Sequence, residues 1–89
     1  MTETPTTYKN LFLLLESLEF RRQPTAATER QHVYFHAPTD TILAFGRHPG
    51  DLVTPADMLS TEVHLHARGI TEESLESLLS AAVLDKYSR

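Results

Sequence analysis

The sequence contains no cysteine, which excludes disulfides, cysteine-ligated zinc and thiol nucleophiles from the chain. It also contains no apolar run close to the roughly 18 residues that a membrane span needs, because the longest covers residues 11–15. The N-terminus carries Glu3 and no basic cluster, so it does not resemble a signal peptide. We therefore expect a cytoplasmic protein that has no membrane partner.

The chain has no excess of positive charge either. Its net charge is −4, with 12 acidic and 8 basic residues. Nucleic-acid binders are usually basic because phosphate contacts supply most of their affinity, so this balance counts against RNA as a ligand. Between residues 20 and 48, however, basic residues outnumber the two acids, and these basic residues are Arg21, Arg22, Arg30, Arg47, His32, His36 and His48. Such segregation suits a sheet that faces RNA, although solvated arginines are also common.

The length of 89 residues predicts a single domain. We expect residues 1–5 to be a flexible N-terminus and residues 6–89 to form the domain. Thr6 or Thr7 can cap a first helix that ends near Glu19. Its apolar positions have the spacing of one buried stripe, which Leu13 and Leu14 widen; they are Tyr8, Leu11, Phe12, Leu15 and Leu18.

Three strands should follow this helix. Residues 20–23 form a short strand, and a loop over residues 24–28 comes next. Residues 30–36 alternate clearly, with Val33 and Phe35 on one face and His32, Tyr34 and His36 on the other. Turn residues at 37–40 and a β-rich run at 41–45 predict an antiparallel hairpin.

Two helices complete the predicted order. Thr54, Pro55 and Asp57 supply a cap, a first-turn proline and an acid three residues after the cap. Gly69 is a natural stop for this helix. Acids at 72 and 73 favour the start of a last helix, whose apolar face is Leu75, Leu78, Leu79, Ala82 and Val83. The pattern predicts an α+β fold of order α-β-β-β-α-α.

Several short segments resemble the HicA (YcfA-like) toxin family. Residues 14–20 (LLESLEF) are similar to its passage from first helix to first strand, and residues 31–35 (QHVYF) to its second strand. Residues 38–41, 46–49 and 65–70 resemble its hairpin turn, its basic loop and the end of its second helix. The resemblance runs from about residue 8 to residue 79. The chain departs from the family pattern at Arg30-Gln31, where the family has Gly-Ser, and at Glu19, where it has glycine.

The resemblance implies a fold like the double-stranded RNA-binding domain, with a three-stranded antiparallel sheet and helices packed on one of its faces. It implies metal-independent cleavage of mRNA, without a cofactor, by a strand histidine that corresponds to His32. It also implies a cognate antitoxin protein as a partner. The residues expected to contact RNA are Arg21, Arg22, Arg30, Tyr34, Arg47 and His48.

The residues themselves offer a mechanism for His32. RNA cleavage through the 2′-hydroxyl needs a group that removes a proton near neutral pH, and histidine is suited to this. Arg30 and Tyr34 lie two residues away on either side, so they share the strand face of His32. We expect a catalytic His32 on the exposed face of the sheet. The alternative is an ordinary solvent-facing histidine on that open face.

The sequence allows two other interpretations. His64 and His66, with His36 or His48, suggest a metal site if residues 62–66 form a strand, but the helix signals around them disfavour it. The second is a non-catalytic domain of the same fold, which binds RNA or a partner protein through its sheet.

Overall fold

A computed structural model describes residues 6–24 and 31–80 of the chain. Residues 1–5, residues 25–30 and the predicted helix positions Ala82 and Val83 lie outside the described residues. The elements follow in the order α1 (Tyr8–Ser17), β1 (Arg21–Gln23), β2 (His32–His36), a 3₁₀ turn (Ala37–Thr39), β3 (Thr41–Phe45) and α2 (Pro55–Ala67). A third helix, α3, covers residues 75–80 of the described chain. The α+β class predicted from the sequence is confirmed.

The three strands form one antiparallel sheet in the order β1-β2-β3. In β2 and β3, His32 lies opposite Phe45 and His36 lies opposite Thr41, so the predicted hairpin is confirmed. β1 pairs with the other edge of β2, with Arg22 opposite Tyr34. β3 has the predicted bounds, whereas β1 and β2 begin later than predicted, at residues 21 and 32.

The core lies between α1 and one face of the sheet. Phe12 of α1 packs against Tyr34 of β2 and Phe45 of β3, with ring centroids 5.1 and 5.6 Å apart. Leu15 is fully buried beside them. Leu14 is buried as well, but Leu13 is 47% exposed, so the prediction that both leucines widen the buried stripe is wrong for Leu13. At 100° per residue, position 13 is turned toward solvent when 8, 11, 12 and 15 face the sheet.

Both long helices begin and end as their sequences predict. Thr7 Oγ1 accepts a hydrogen bond from the backbone N–H of Asn10, and Thr54 Oγ1 accepts one from Asp57. Each of these bonds satisfies one backbone donor of the first helical turn that would otherwise have no partner. α2 ends at Ala67, just before Gly69, which has a φ of +69°.

α3 begins where α2 can support it. The backbone N–H of Leu75 donates to Glu62 Oε1 of α2 at 2.7 Å, so a side chain of one helix caps the other. Leu75 and Leu79 are buried in the same core cluster as Phe12 and Leu65. In the described ranges, 6–24 and 31–80, no helix has the length and apolar character to cross a membrane.

The end of α1 repeats the geometry of the end of α2, with one difference. The backbone N–H of Phe20 donates to the carbonyl of Leu15, and that of Glu19 to the carbonyl of Glu16. This is the Schellman arrangement, which requires a left-handed residue at the position after the cap. Gly69 holds that position after α2, but after α1 it is held by Glu19, with a φ of +74°. A side chain at such a position is strained, because its Cβ crowds the backbone.

Replacing Leu15 with alanine should lower the free energy of unfolding by about 2 to 5 kcal/mol, the usual range for a buried leucine. Urea denaturation measures this change. Leu13→Ala is the matched control, because Leu13 lies on the same helix and is largely exposed. Equal effects of the two substitutions would show that the core is misplaced.

Replacing Glu19 with glycine should raise the free energy of unfolding by about 1 kcal/mol, because glycine adopts a positive φ without strain. Thermal and urea denaturation of the two proteins would measure the gain. The opposite substitution at the equivalent position, Gly69→Ala, should destabilise the protein. A loss of stability in Glu19→Gly would contradict the strain.

Candidate nucleic-acid interface

β2 places His32 on the face of the sheet that α1 covers. Residues that lie opposite each other on paired antiparallel strands point to the same face. His32 is opposite Phe45, which is buried, and it shares its face with Tyr34 and His36, which are buried too. The opposite face carries Val33 and Phe35. The expectation that His32 lies on the open face is therefore wrong.

His32 nevertheless remains in contact with solvent, because it stands at the end of the strand. Its ring lies 5.0 Å from the ring of Phe12, at an angle of 41°. Its burial is intermediate, whereas Tyr34 is only 2% exposed. His32 thus lies at the rim of the aromatic core, where part of the residue is buried and part contacts solvent.

Arg22 reaches His32 across the strand pair. Arg22 Nη2 lies 3.1 Å from His32 Nδ1, and Arg22 itself is exposed. A guanidinium can only donate hydrogen bonds, so Nδ1 must be the acceptor. A neutral ring in this arrangement therefore carries its proton on Nε2. The contact is diagonal in the sheet, because the residue directly opposite Arg22 is Tyr34.

The surroundings of His32 favour its neutral form. Burial lowers the pKa of His32 from its ordinary value of 6.5, and the positive charges of Arg22 and His48 lower it further. His48 belongs to the connection that follows β3 and is exposed. Arg22 and His48 thus both act on His32, and we call these three residues the Arg22 cluster.

The structure brings only some of the predicted RNA-contacting residues together. Arg22 and His48 join His32, as described. Arg21 lies opposite Phe35 and so belongs to the other face of the sheet. Arg47 is exposed beside His48. Arg30 lies outside the described residues.

Tyr34 is not available to RNA, which corrects the prediction that it contacts the ligand. Tyr34 is buried and stacks on Phe12. Leu43, its partner on β3, faces the core as well. Burial raises the pKa of the Tyr34 hydroxyl, as does the negative charge of Glu16, while Arg22 opposes the rise. The sequence alone does not identify Glu16 or Phe12 as neighbours of the site. Their i, i+4 spacing on α1 was the available signal, since it places them on one helix face.

The two histidines of the HxH pair belong to α2, and the helix predicted there is confirmed. His64 Nδ1 lies 2.7 Å from the carbonyl oxygen of Ser60, and His66 Nε2 lies 2.7 Å from that of Glu73. Residues two apart on a helix point about 200° away from each other. The strand geometry that a shared metal ion would need is not formed by these two residues.

Comparisons with protein-family models, with curated proteins and with solved structures found no match for this chain. The resemblance to the HicA family therefore stays a prediction.

The lowered pKa of His32 should make the protein less stable in mild acid. The unfolded chain binds a proton at His32 near the ordinary pKa of 6.5, whereas the folded chain binds it only at lower pH. The stability that the neutral His32 ring contributes is therefore fully present above pH 6.5. It is lost as the pH falls from there through the lower pKa that His32 has in the folded protein. Urea denaturation at about pH 7.5 and about pH 5.5 measures the loss.

His32→Phe should reduce this loss, because phenylalanine keeps a ring against Phe12 and does not titrate. An identical pH dependence in the wild type and in His32→Phe would contradict the prediction.

Proposed function

We propose that this chain is a cytoplasmic, HicA-like RNA-binding toxin, and that the Arg22 cluster is where it contacts the RNA backbone. The hydrogen bond between Arg22 and His32 carries the proposal, since it fixes a guanidinium beside an imidazole at an accessible rim of the domain. Arginine is well suited to phosphate, because its planar fork donates paired hydrogen bonds to two oxygens. A cognate antitoxin would bind over the same rim.

In the catalytic form of this proposal, His32 takes the proton of the RNA 2′-hydroxyl. The 2′-oxygen then attacks phosphorus, the bond to the 5′-oxygen breaks, and the departing oxygen takes a proton from water. Arg22 stabilises the negative charge that develops on the phosphate oxygens. The depressed pKa of His32 supports this role, because a general base must be unprotonated when the reaction begins.

Expression of the wild type in bacteria should arrest growth, and the purified protein should cut mRNA in the presence of a chelator. His32→Phe should abolish the arrest and slow cleavage by about 10²- to 10⁴-fold, the usual cost of removing a general base. The substitution retains the ring contact with Phe12, so it separates chemistry from packing. Growth curves and primer extension on total mRNA measure the two effects.

A pair of arginine variants provides the matched control. Arg22→Gln should weaken RNA binding and reduce the salt dependence of the affinity by about one unit of slope, as expected for one lost phosphate contact. Arg21→Gln removes the same charge from the same strand but on the other face of the sheet. Equal effects of the two variants would contradict the assignment of the Arg22 cluster.

A non-catalytic interaction domain is the second candidate, and one observation favours it. The face of the sheet opposite α1 carries Val33, Phe35, Ile42 and Ala44, and Ile42 is 62% exposed. An accessible apolar sheet face is a common docking surface for a partner protein. In that case the wild type and His32→Phe would be equally harmless, and neither would cut RNA.

A further inference from the structure

The hydrogen bond between Arg22 and His32 occupies the same two groups that an RNA phosphate would engage. Arg22 donates to Nδ1 at 3.1 Å, so one donor of the guanidinium is already used and the only basic nitrogen of the neutral ring is blocked. An oxyanion is a stronger acceptor for arginine than a neutral imidazole, because the hydrogen bond is then charge-assisted at both ends. The guanidinium has five N–H donors, so a phosphate oxygen competes with His32 for the Nη2 group that His32 now engages.

We propose that a phosphodiester anion displaces His32 from Arg22, and that its binding is coupled to the uptake of a proton at His32 Nδ1. The proposal rests on the RNA-binding function alone and adds its regulation, because a ring that takes up a proton on phosphate binding cannot act as the general base of the catalytic form. One hydrogen bond is exchanged for another, and hydronium from solvent gives a proton that forms an N–H bond at Nδ1; no other covalent bond changes.

The charges around the ring give the sign of the coupling. His32 faces Arg22 from β1 and His48 from the loop after β3, and both charges disfavour its protonated form. α1 contributes the uncharged ring of Phe12, and β3 contributes Phe45. A bound anion neutralises Arg22 and adds a negative charge beside the ring, so the pKa of His32 must rise.

Glu16 is an acid of α1, the helix that covers this side of the sheet. Its charge reaches Tyr34, the neighbour of His32 on the same strand face. It is present with and without the ligand, so it does not alter the direction of the shift at His32. By linkage, the affinity for the anion should increase as the pH falls through the window between the two pKa values of His32.

Imidazole ¹⁵N shifts of the full chain test the coupling without RNA. Dimethyl phosphate is the probe, because it is a phosphodiester whose charge stays constant across the range in which histidine titrates. In its absence, His32 should be neutral at pH 7 with the proton on Nε2. Adding it should raise the titration midpoint of His32, and an equal concentration of chloride should not. Each tenfold preference of the anion for the protonated form should add one pH unit at saturation.

Three variants separate the contributions. Arg22→Gln should raise the midpoint without any anion and remove the response to dimethyl phosphate. Arg21→Gln should behave like the wild type. His48→Gln should retain the response, because it leaves the contact between Arg22 and Nδ1 intact.

Several results would overturn the proposal. One is a proton on Nδ1 of His32 in the free protein, and another is a titration midpoint of His32 that dimethyl phosphate leaves unchanged. The third is a response to dimethyl phosphate that persists in Arg22→Gln. The RNA assays fail or succeed independently of these spectra. A shifted midpoint in a protein that does not bind RNA would therefore support the coupling and contradict the proposed function.

Discussion

The packing of Phe12 on the sheet is the contact on which the rest of this structure depends. One ring of α1 touches Tyr34 at the centre of the sheet, Phe45 on the edge strand and His32 at the rim, with centroids 5.0 to 5.6 Å apart. Such contacts add to the large apolar area that aromatic rings bury. A chain of 89 residues has little interior. Few other buried contacts could therefore compensate for the loss of a side chain that joins one helix to two strands.

A polar connection fixes the second helix to the first. The hydroxyl of Tyr8, a fully buried residue, donates to Asp57 Oδ2 at 2.5 Å and accepts from the backbone N–H of Thr54 at 3.3 Å. Both partners belong to the N-terminal cap of α2. The carboxylate there is also favoured by the positive end of the helix dipole. Burial of Tyr8 thus costs little, because its one polar atom is satisfied as donor and acceptor.

The sequence predicts the features that have local causes. It does not predict which face of β2 is buried, because that depends on how the strands pair. Caps at Thr7 and Thr54 and the stop at Gly69 follow from side chains within four residues, and all three are confirmed. The face of β2 does not have such a cause, because Phe35 and Tyr34 are both large and aromatic. The buried face of β2 is determined by β3, because Leu43 and Phe45 of β3 point inward opposite Tyr34 and His32. The contact of Arg22 with His32 required the register of β1 as well.

The net negative charge of the chain would affect the rate at which RNA approaches the Arg22 cluster more than the affinity with which RNA binds there. At physiological ionic strength, charges further apart than about 8 Å are largely screened. A net charge of −4 spread over the domain therefore slows the approach of an anion, while affinity is decided by groups within that distance. The charges that act on His32 are those of Arg22 and His48, and the charge of Glu16 acts on the neighbouring Tyr34. Because His32 carries its charge only in the protonated form, it is the group through which pH would shift this local balance toward binding under our proposal.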